Sequence, residues 1–207
     1  DEVHITVRGQ GGHGALPHEL NDTVLAASNI VVAMQQVVSR LRNPFNPMVL
    51  SFGKFIANGA TNVVPGAVTL AGSLRCMDEE ERRRMLEAIP RIAKSTADAY
   101  GCICETVQPD GYPCVVNDEV VNRKVRVKVV EYLGEAHVLE FPKRMTADDF
   151  GFFSQLYPCC YYRFGVSGNS GKPGALHSDI FLIDESALKT AVGTFAYIAL
   201  SSLSSND

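Results

Sequence analysis

Over the first half of the chain the spacing of apolar residues switches between the period of a strand and the period of a helix, and the order of those switches leaves few folds open. Val3, Ile5 and Val7 alternate with polar neighbours, as in a strand with one face against a core. Val24, Ala27, Val31, Met34, Val38 and Leu41 then recur at every third or fourth position, the inner stripe of an amphipathic helix. Asn21 or Asp22 is placed to cap its start, and Pro44 and Pro47 close it. Met48, Leu50 and Phe52 alternate in a second strand, and Val68, Leu70 and Leu74 in a third. Met85, Ile89, Ile92, Thr96 and Ala99 mark a second helix. Pro90 inside it predicts a kink, since an interior proline removes a hydrogen bond and costs about 3 kcal/mol. A last strand runs from Cys102 to Gln108. The order β-α-β-β-α-β is the split pattern of a ferredoxin-like sandwich.

Past the turn-rich Pro109-Asp110-Gly111-Tyr112-Pro113 the texture changes, which predicts one domain over 1–109 and a second over 110–207. The second reads as a helix from Asn117 to Leu133, a short strand near Val138, a segment from Asp148 to Leu156 and an aromatic strand Tyr161–Phe164. A loop rich in Gly and Ser, Gly165 to Gly174, leads to Ala175-Leu176-His177-Ser178. Asp184-Glu185-Ser186 opens a terminal helix that is apolar nearly all round, as expected of a helix packed between layers. About 98 residues make half of a usual α/β domain, so this part is expected to need sequence beyond the chain. The start at Asp1, without a methionine, fits a piece of something longer.

Charge and composition exclude several classes. A net charge of -4 and the lack of any Lys/Arg run argue against a nucleic-acid partner, which needs a basic stripe. The one charge block, Glu79 to Arg84, reads as the exposed first turns of a helix. No apolar run approaches the roughly 18 residues of a membrane span and no cationic-apolar leader opens the chain, so no membrane partner and a cytoplasmic location are expected. Six cysteines without a C-x-x-C pair read as small buried hydrophobes in a reducing compartment.

The residues with chemical character are few. Gly11-Gly12-His13-Gly14-Ala15-Leu16-Pro17-His18 places an imidazole on a glycine-rich turn after the first strand, suited to a ligand approaching the backbone. A plain strand-to-helix connection with exposed histidines accounts for it about as well. His177 follows the Gly/Ser loop at a sheet edge, a natural place for a metal ligand, although one histidine more often simply finds a hydrogen bond. His4, His13, His18, His137 and His177 form no H-x-H or H-E-x-x-H pair, so no complete metal site is visible. Arg75 ends the third strand on the polar face, where a guanidinium suits bidentate capture of a carboxylate or is merely solvated. Asn62 lies in the turn Gly59–Pro65, where asparagine commonly bonds its own backbone. Asp148-Asp149 either supplies a carboxylate behind a metal ligand or caps the following helix.

Taken together, Gly-Gly-His-Gly-Ala-x-Pro-His at 11–18, Asn-Val-Val-Pro at 62–65, Gly-Ser-Leu-Arg at 72–75, Ala-Asp-Asp-Phe at 147–150 and Leu-His-Ser at 176–178 resemble, in this order, the amidohydrolase branch of the metallo-aminoacylase and carboxypeptidase family. That branch includes hippurate hydrolases and plant auxin-conjugate hydrolases. The resemblance implies a ferredoxin-like lid that also makes a homodimer, followed by the C-terminal half of an α/β catalytic domain. It implies a metal-dependent enzyme hydrolysing the amide of N-acyl amino acids or small peptides, with two divalent ions, zinc or alternatively manganese or cobalt, in the complete protein. His13 is similar to the lid histidine that reaches a neighbouring subunit's site and donates to the oxyanion. Asn62 and Arg75 are similar to the residues that hold the substrate carboxylate, His177 to the last metal ligand, and Asp149 to an acid of unassigned role. Asp148 departs from the glutamate usual there, and Cys159 from the glycine usual after Pro158. The family's Cys-Gly-His-Asp segment, its Glu-Glu pair and a further histidine have no counterpart in the chain, so the chain alone is expected to be inactive and not to hold the metal pair. The alternative is a non-catalytic dimerisation or ligand-binding module.

Overall fold

The computed structural model describes residues 1–167, 174 and 176–204. The chain forms two compact units, Asp1–Cys114 with Met145–Asp149, and Val115–Arg144 with Phe150–Asp207.

The first unit contains β1 (Glu2–Arg8), α1 (Thr23–Gln36), β2 (Met48–Ile56), β3 (Ala67–Cys76), α2 (Glu79–Asp98) and β4 (Ile103–Val107). The strands lie in the order β2-β3-β1-β4, every neighbouring pair antiparallel. This is the ferredoxin-like order that the βαββαβ pattern predicts. Strand alternation sends Val3, Ile5, Val7, Leu50, Val68, Leu70 and Leu74 to one face. There they are buried against Ala27, Ile30 and Met34 of α1 and Met85, Ile89 and Ala93 of α2. Asp22 caps α1, its carboxylate accepting from Leu25 N at 2.9 Å.

Three expectations are corrected here. The helix from Thr23 to Leu41, whose last turn is a π turn over Val37–Leu41, is long and apolar enough to cross a membrane. It is instead a core helix, with Ala26, Ala27, Ile30, Met34 and Val37 fully buried in this unit. Pro90 does not interrupt α2, which continues to Asp98. The carbonyl that Pro90 leaves without its donor is Leu86 O, and the side-chain amide of Gln108 donates to it at 3.0 Å. The Glu79–Arg84 block is not simply a solvated face. Glu81 is 8% exposed and accepts from Asn43 N at 2.9 and 3.2 Å, while Arg82 is held between Asp1 and Glu79.

The second unit contains α3 (Glu119–Leu133), α4 (Phe150–Leu156) and α5 (Ser186–Ser204). Asp118 caps α3, accepting from Val121 N at 2.8 Å. Neither predicted strand forms. Val138 follows a single 3-10 turn, Glu135–His137. Tyr161–Phe164 have strand composition, but a strand exists only by pairing, and among the described residues no segment pairs with them. The amide of Asn117 takes the place of a ladder, accepting from Tyr161 N at 2.7 Å and donating to Tyr161 O at 2.9 Å. Helix α5 lies along α3, with Tyr132 and Tyr197 stacked at 5.4 Å. A Cβ at Gly193 would press on the Tyr132 ring, so glycine lets α5 approach without moving that side chain. Only one side of α5 is covered among the described residues. Thr194 and Ile198 are buried, whereas Val192, Phe195, Leu200 and Leu203 are exposed. Most of the predicted Gly165–Gly174 loop, residues 168–173, and Ala175 lie outside the described residues.

Candidate functional site

His13 sits on a short two-stranded ribbon that prolongs the β1–β3 pair. Gly9 N donates to Gly66 O at 3.0 Å, Gly12 and His13 pair with Val64 and Val63, and Gly14 N donates to Asn62 O at 2.8 Å. Of Gly11, Gly12 and Gly14 only Gly11 has a close steric reason: a Cβ would stand 2.5 Å from Val64 O. None of Gly11, Gly12 and Gly14 has positive φ, so close approach and not a left-handed turn is what they provide. The chain then turns, Leu16 N donating to His13 O at 2.9 Å, and Pro17 opens a 3-10 turn, Pro17–Glu19. The imidazole is exposed, and its Nδ1 accepts from Ala15 N at 3.1 Å. His18 is also exposed and lies beside Glu19 at 3.6 Å.

Two supports of this ribbon were not evident in the sequence. Thr23, fully buried, donates its hydroxyl to Pro65 O at 2.6 Å, and the Asn21 side chain accepts from Gln10 N at 3.2 Å. The run Asn21-Asp22-Thr23 reads as a helix start, and only Asp22 serves that purpose.

Asn62 is exposed and adjoins His13, its carbonyl holding Gly14. Arg75 is elsewhere. It pairs with Val49 near the far end of β3, half-buried on the sheet face turned away from both helices, and makes no ion pair among the described residues. The ribbon leads into the opposite end of β3, at Ala67, which pairs with Arg8. At about 3.3 Å per residue, the strand from Ala67 to Arg75 alone spans about 26 Å. One chain therefore brings His13 and Asn62 together and holds Arg75 apart from both. Asn62 and Arg75, both expected at the substrate carboxylate, are therefore not neighbours within one chain.

His177 is exposed and has φ 65°, the one non-glycine residue in the left-handed region among those described. Such a backbone is uncommon outside glycine and concentrates at functional positions. Asp149 is exposed at the residue before α4 and belongs to the first unit, whereas His177 belongs to the second. Among the described residues no three His, Cys, Asp or Glu side chains cluster as a metal site. The donors visible here do not by themselves fit a two-metal centre.

Residues 1–101 match the family model for the M20 peptidase dimerisation domain. The chain is 33% identical over 201 residues to a probable hydrolase of Synechocystis, covering 96% of this chain and 51% of that protein. It is 34% identical over 203 residues to the hippurate hydrolase of Campylobacter jejuni, covering 97% and 51%. A solved structure from methicillin-resistant Staphylococcus aureus, provisionally assigned as an aminohydrolase, superposes with a TM-score of 0.84 at 28% identity, covering 97% of this chain and 51% of that one. A Bacillus subtilis structure described as a dinuclear metal-binding M20 peptidase shares the fold, with a TM-score of 0.76 at 22% identity, covering 99% and 50%. The first unit is thus an M20-type dimerisation domain in fold and sequence. The chain is similar to hydrolases over nearly all of its length and spans about half the length of the curated relatives it matches.

Proposed function

We propose that this chain is the lid and part of the catalytic domain of a metal-dependent amidohydrolase that cleaves the amide of N-acyl amino acids or small peptides, working as a homodimer in the cytoplasm. The observation that carries this reading is the placement of two complementary groups at opposite ends of β3: an uncommitted guanidinium, Arg75, and an exposed imidazole, His13, beside Asn62. A guanidinium without an ion pair among the described residues suits the free carboxylate of an amino acid. An imidazole with a free N–H suits a carbonyl oxygen that gains charge as the amide is attacked. Because the strand between them spans about 26 Å within one chain, they meet on one substrate only if His13 and Asn62 come from one subunit and Arg75 from the other. The family's dimerisation domain supports that arrangement. The relatives' named substrates, hippurate and N-acetyldiaminopimelate, are N-acyl amino acids.

The cofactor proposed for the complete enzyme is a pair of divalent ions, zinc with manganese or cobalt as alternatives. His177 is the residue of this chain proposed as a ligand and Asp149 as a carboxylate associated with it. The other donors would lie outside these 207 residues. The test is His13→Ala in the complete enzyme. The expected outcome is a loss in kcat of about a hundredfold to a thousandfold, the usual effect of removing one oxyanion donor, with KM little changed. Near-normal turnover would remove His13 from the reaction.

A further inference from the structure

We infer that the backbone N–H of Ala15 is a positioning group that holds His13 as its Nε2–H tautomer, so that the proton stands on the ring nitrogen facing away from the ribbon. The inference rests on the reading of His13 as the oxyanion donor and says how that donor is kept ready.

A backbone N–H can only donate. Since Ala15 N lies 3.1 Å from His13 Nδ1 in hydrogen-bonding geometry, Nδ1 must present its lone pair, and in the neutral ring the proton is then on Nε2. The donor has little freedom to leave. Gly14 N is tied to Asn62 O at 2.8 Å on one side of it, and Leu16 N to His13 O at 2.9 Å on the other, so the peptide carrying the Ala15 N–H is clamped at both neighbours. The ribbon pairs Gly12 with Val64 and His13 with Val63 below it. An exposed imidazole without such a partner exchanges its proton between both nitrogens through water. In the Nδ1–H form the outward Nε2 is a lone pair, which repels a developing oxyanion where the Nε2–H form donates to it. Ala15 thus acts through His13 and need not touch substrate.

The experiment is nuclear magnetic resonance on the 15N-labelled 207-residue chain at about pH 8.5, well above the ordinary imidazole pKa. His13 is expected to show one pyridine-like Nδ1 and one pyrrole-like Nε2, with scalar coupling between Ala15 N and His13 Nδ1 across the hydrogen bond. His137, exposed, serves as the mixed-tautomer reference. Ala15→Pro removes the donor and should abolish the coupling and return His13 to the mixture seen at His137. Because proline can disturb the turn, a second variant replaces the Gly14–Ala15 amide by an ester, which deletes only the N–H, and the same change is expected. A mixed tautomer in the unaltered chain, or an unchanged His13 spectrum in the ester variant, would overturn the inference. If the tautomer is fixed but His13→Ala leaves the complete enzyme's turnover intact, the oxyanion reading fails and the positioning of the ring stands.

Discussion

Two variants that are each inactive should restore activity when mixed. Eight residue steps separate Ala67, where the His13 ribbon joins the sheet, from Arg75, a span of about 26 Å. A substrate the length of a dipeptide reaches about 7 Å, so it cannot touch both ends of β3 in one subunit. In the complete enzyme, on the proposed reading, His13→Ala removes the oxyanion donor from one end and Arg75→Ala the carboxylate partner from the other. Each alone should fall to about 1% of wild-type kcat/KM or less, the effect of losing about 3 kcal/mol of transition-state stabilisation. In a dimer of composite sites, one His13→Ala subunit paired with one Arg75→Ala subunit forms one intact site and one doubly defective site. Random association of equal amounts makes half the dimers mixed, so about a quarter of wild-type activity should return. The assay is steady-state hydrolysis of an N-acyl amino acid after co-expression with two affinity tags, which also isolates the mixed dimer, expected at about half of wild-type. Activity no greater than the mean of the two parents would refute the composite site.

Other consequences can be checked on the 207-residue chain. Ile5, fully buried between Leu70 and Thr106 in the centre of the sheet, should cost about 3 to 4 kcal/mol on replacement by alanine, read by urea unfolding followed by circular dichroism. A loss below about 1 kcal/mol would mean that the sheet and helices do not share one core. Glu81→Ala strands Asn43 N and one Arg84 contact at 3.0 Å, with an expected loss of about 2 to 3 kcal/mol, and Glu81→Gln should recover part of it. Burial pushes the Cys104 and Cys114 thiols from their ordinary 9.0 up to about 11. The folded state then holds these protons more tightly than the unfolded one, so stability is intact below about pH 9 and declines towards pH 11. Cys104→Ala should flatten that decline in an unfolding series across alkaline pH, and an unchanged slope would count against a buried neutral thiol.

The first unit was legible because β1, α1, β2, β3 and α2 each turn one apolar face to one core, so period alone reveals them. Asp22 was legible as a cap because its spacing to the first turn is local. Continuity through Pro90 was not, since the group that satisfies Leu86 O is Gln108, far along the chain. The aromatic run at Tyr161–Phe164 misled for the complementary reason: its residues favour a strand, but strand formation depends on a neighbour, and the Asn117 amide meets the backbone instead. Of the site, the imidazole loop could be read from its glycines and the polar face of Arg75 from alternation. Their placement at opposite ends of β3 depends on antiparallel pairing and register, which no short motif contains. Thr23 stayed hidden because a threonine at a helix start looks like a cap whether or not its hydroxyl turns to Pro65.

The length of β3 bears on how such a protein changes over generations. Within one subunit the two ends of β3 are well separated, so for folding stability substitutions at the two ends, more than about 10 Å apart, combine additively within about 0.5 kcal/mol. A lineage can therefore alter the residues at one end of β3 while the stability contributed by the other end is inherited unchanged. Such a scaffold lets selection change the two ends one at a time.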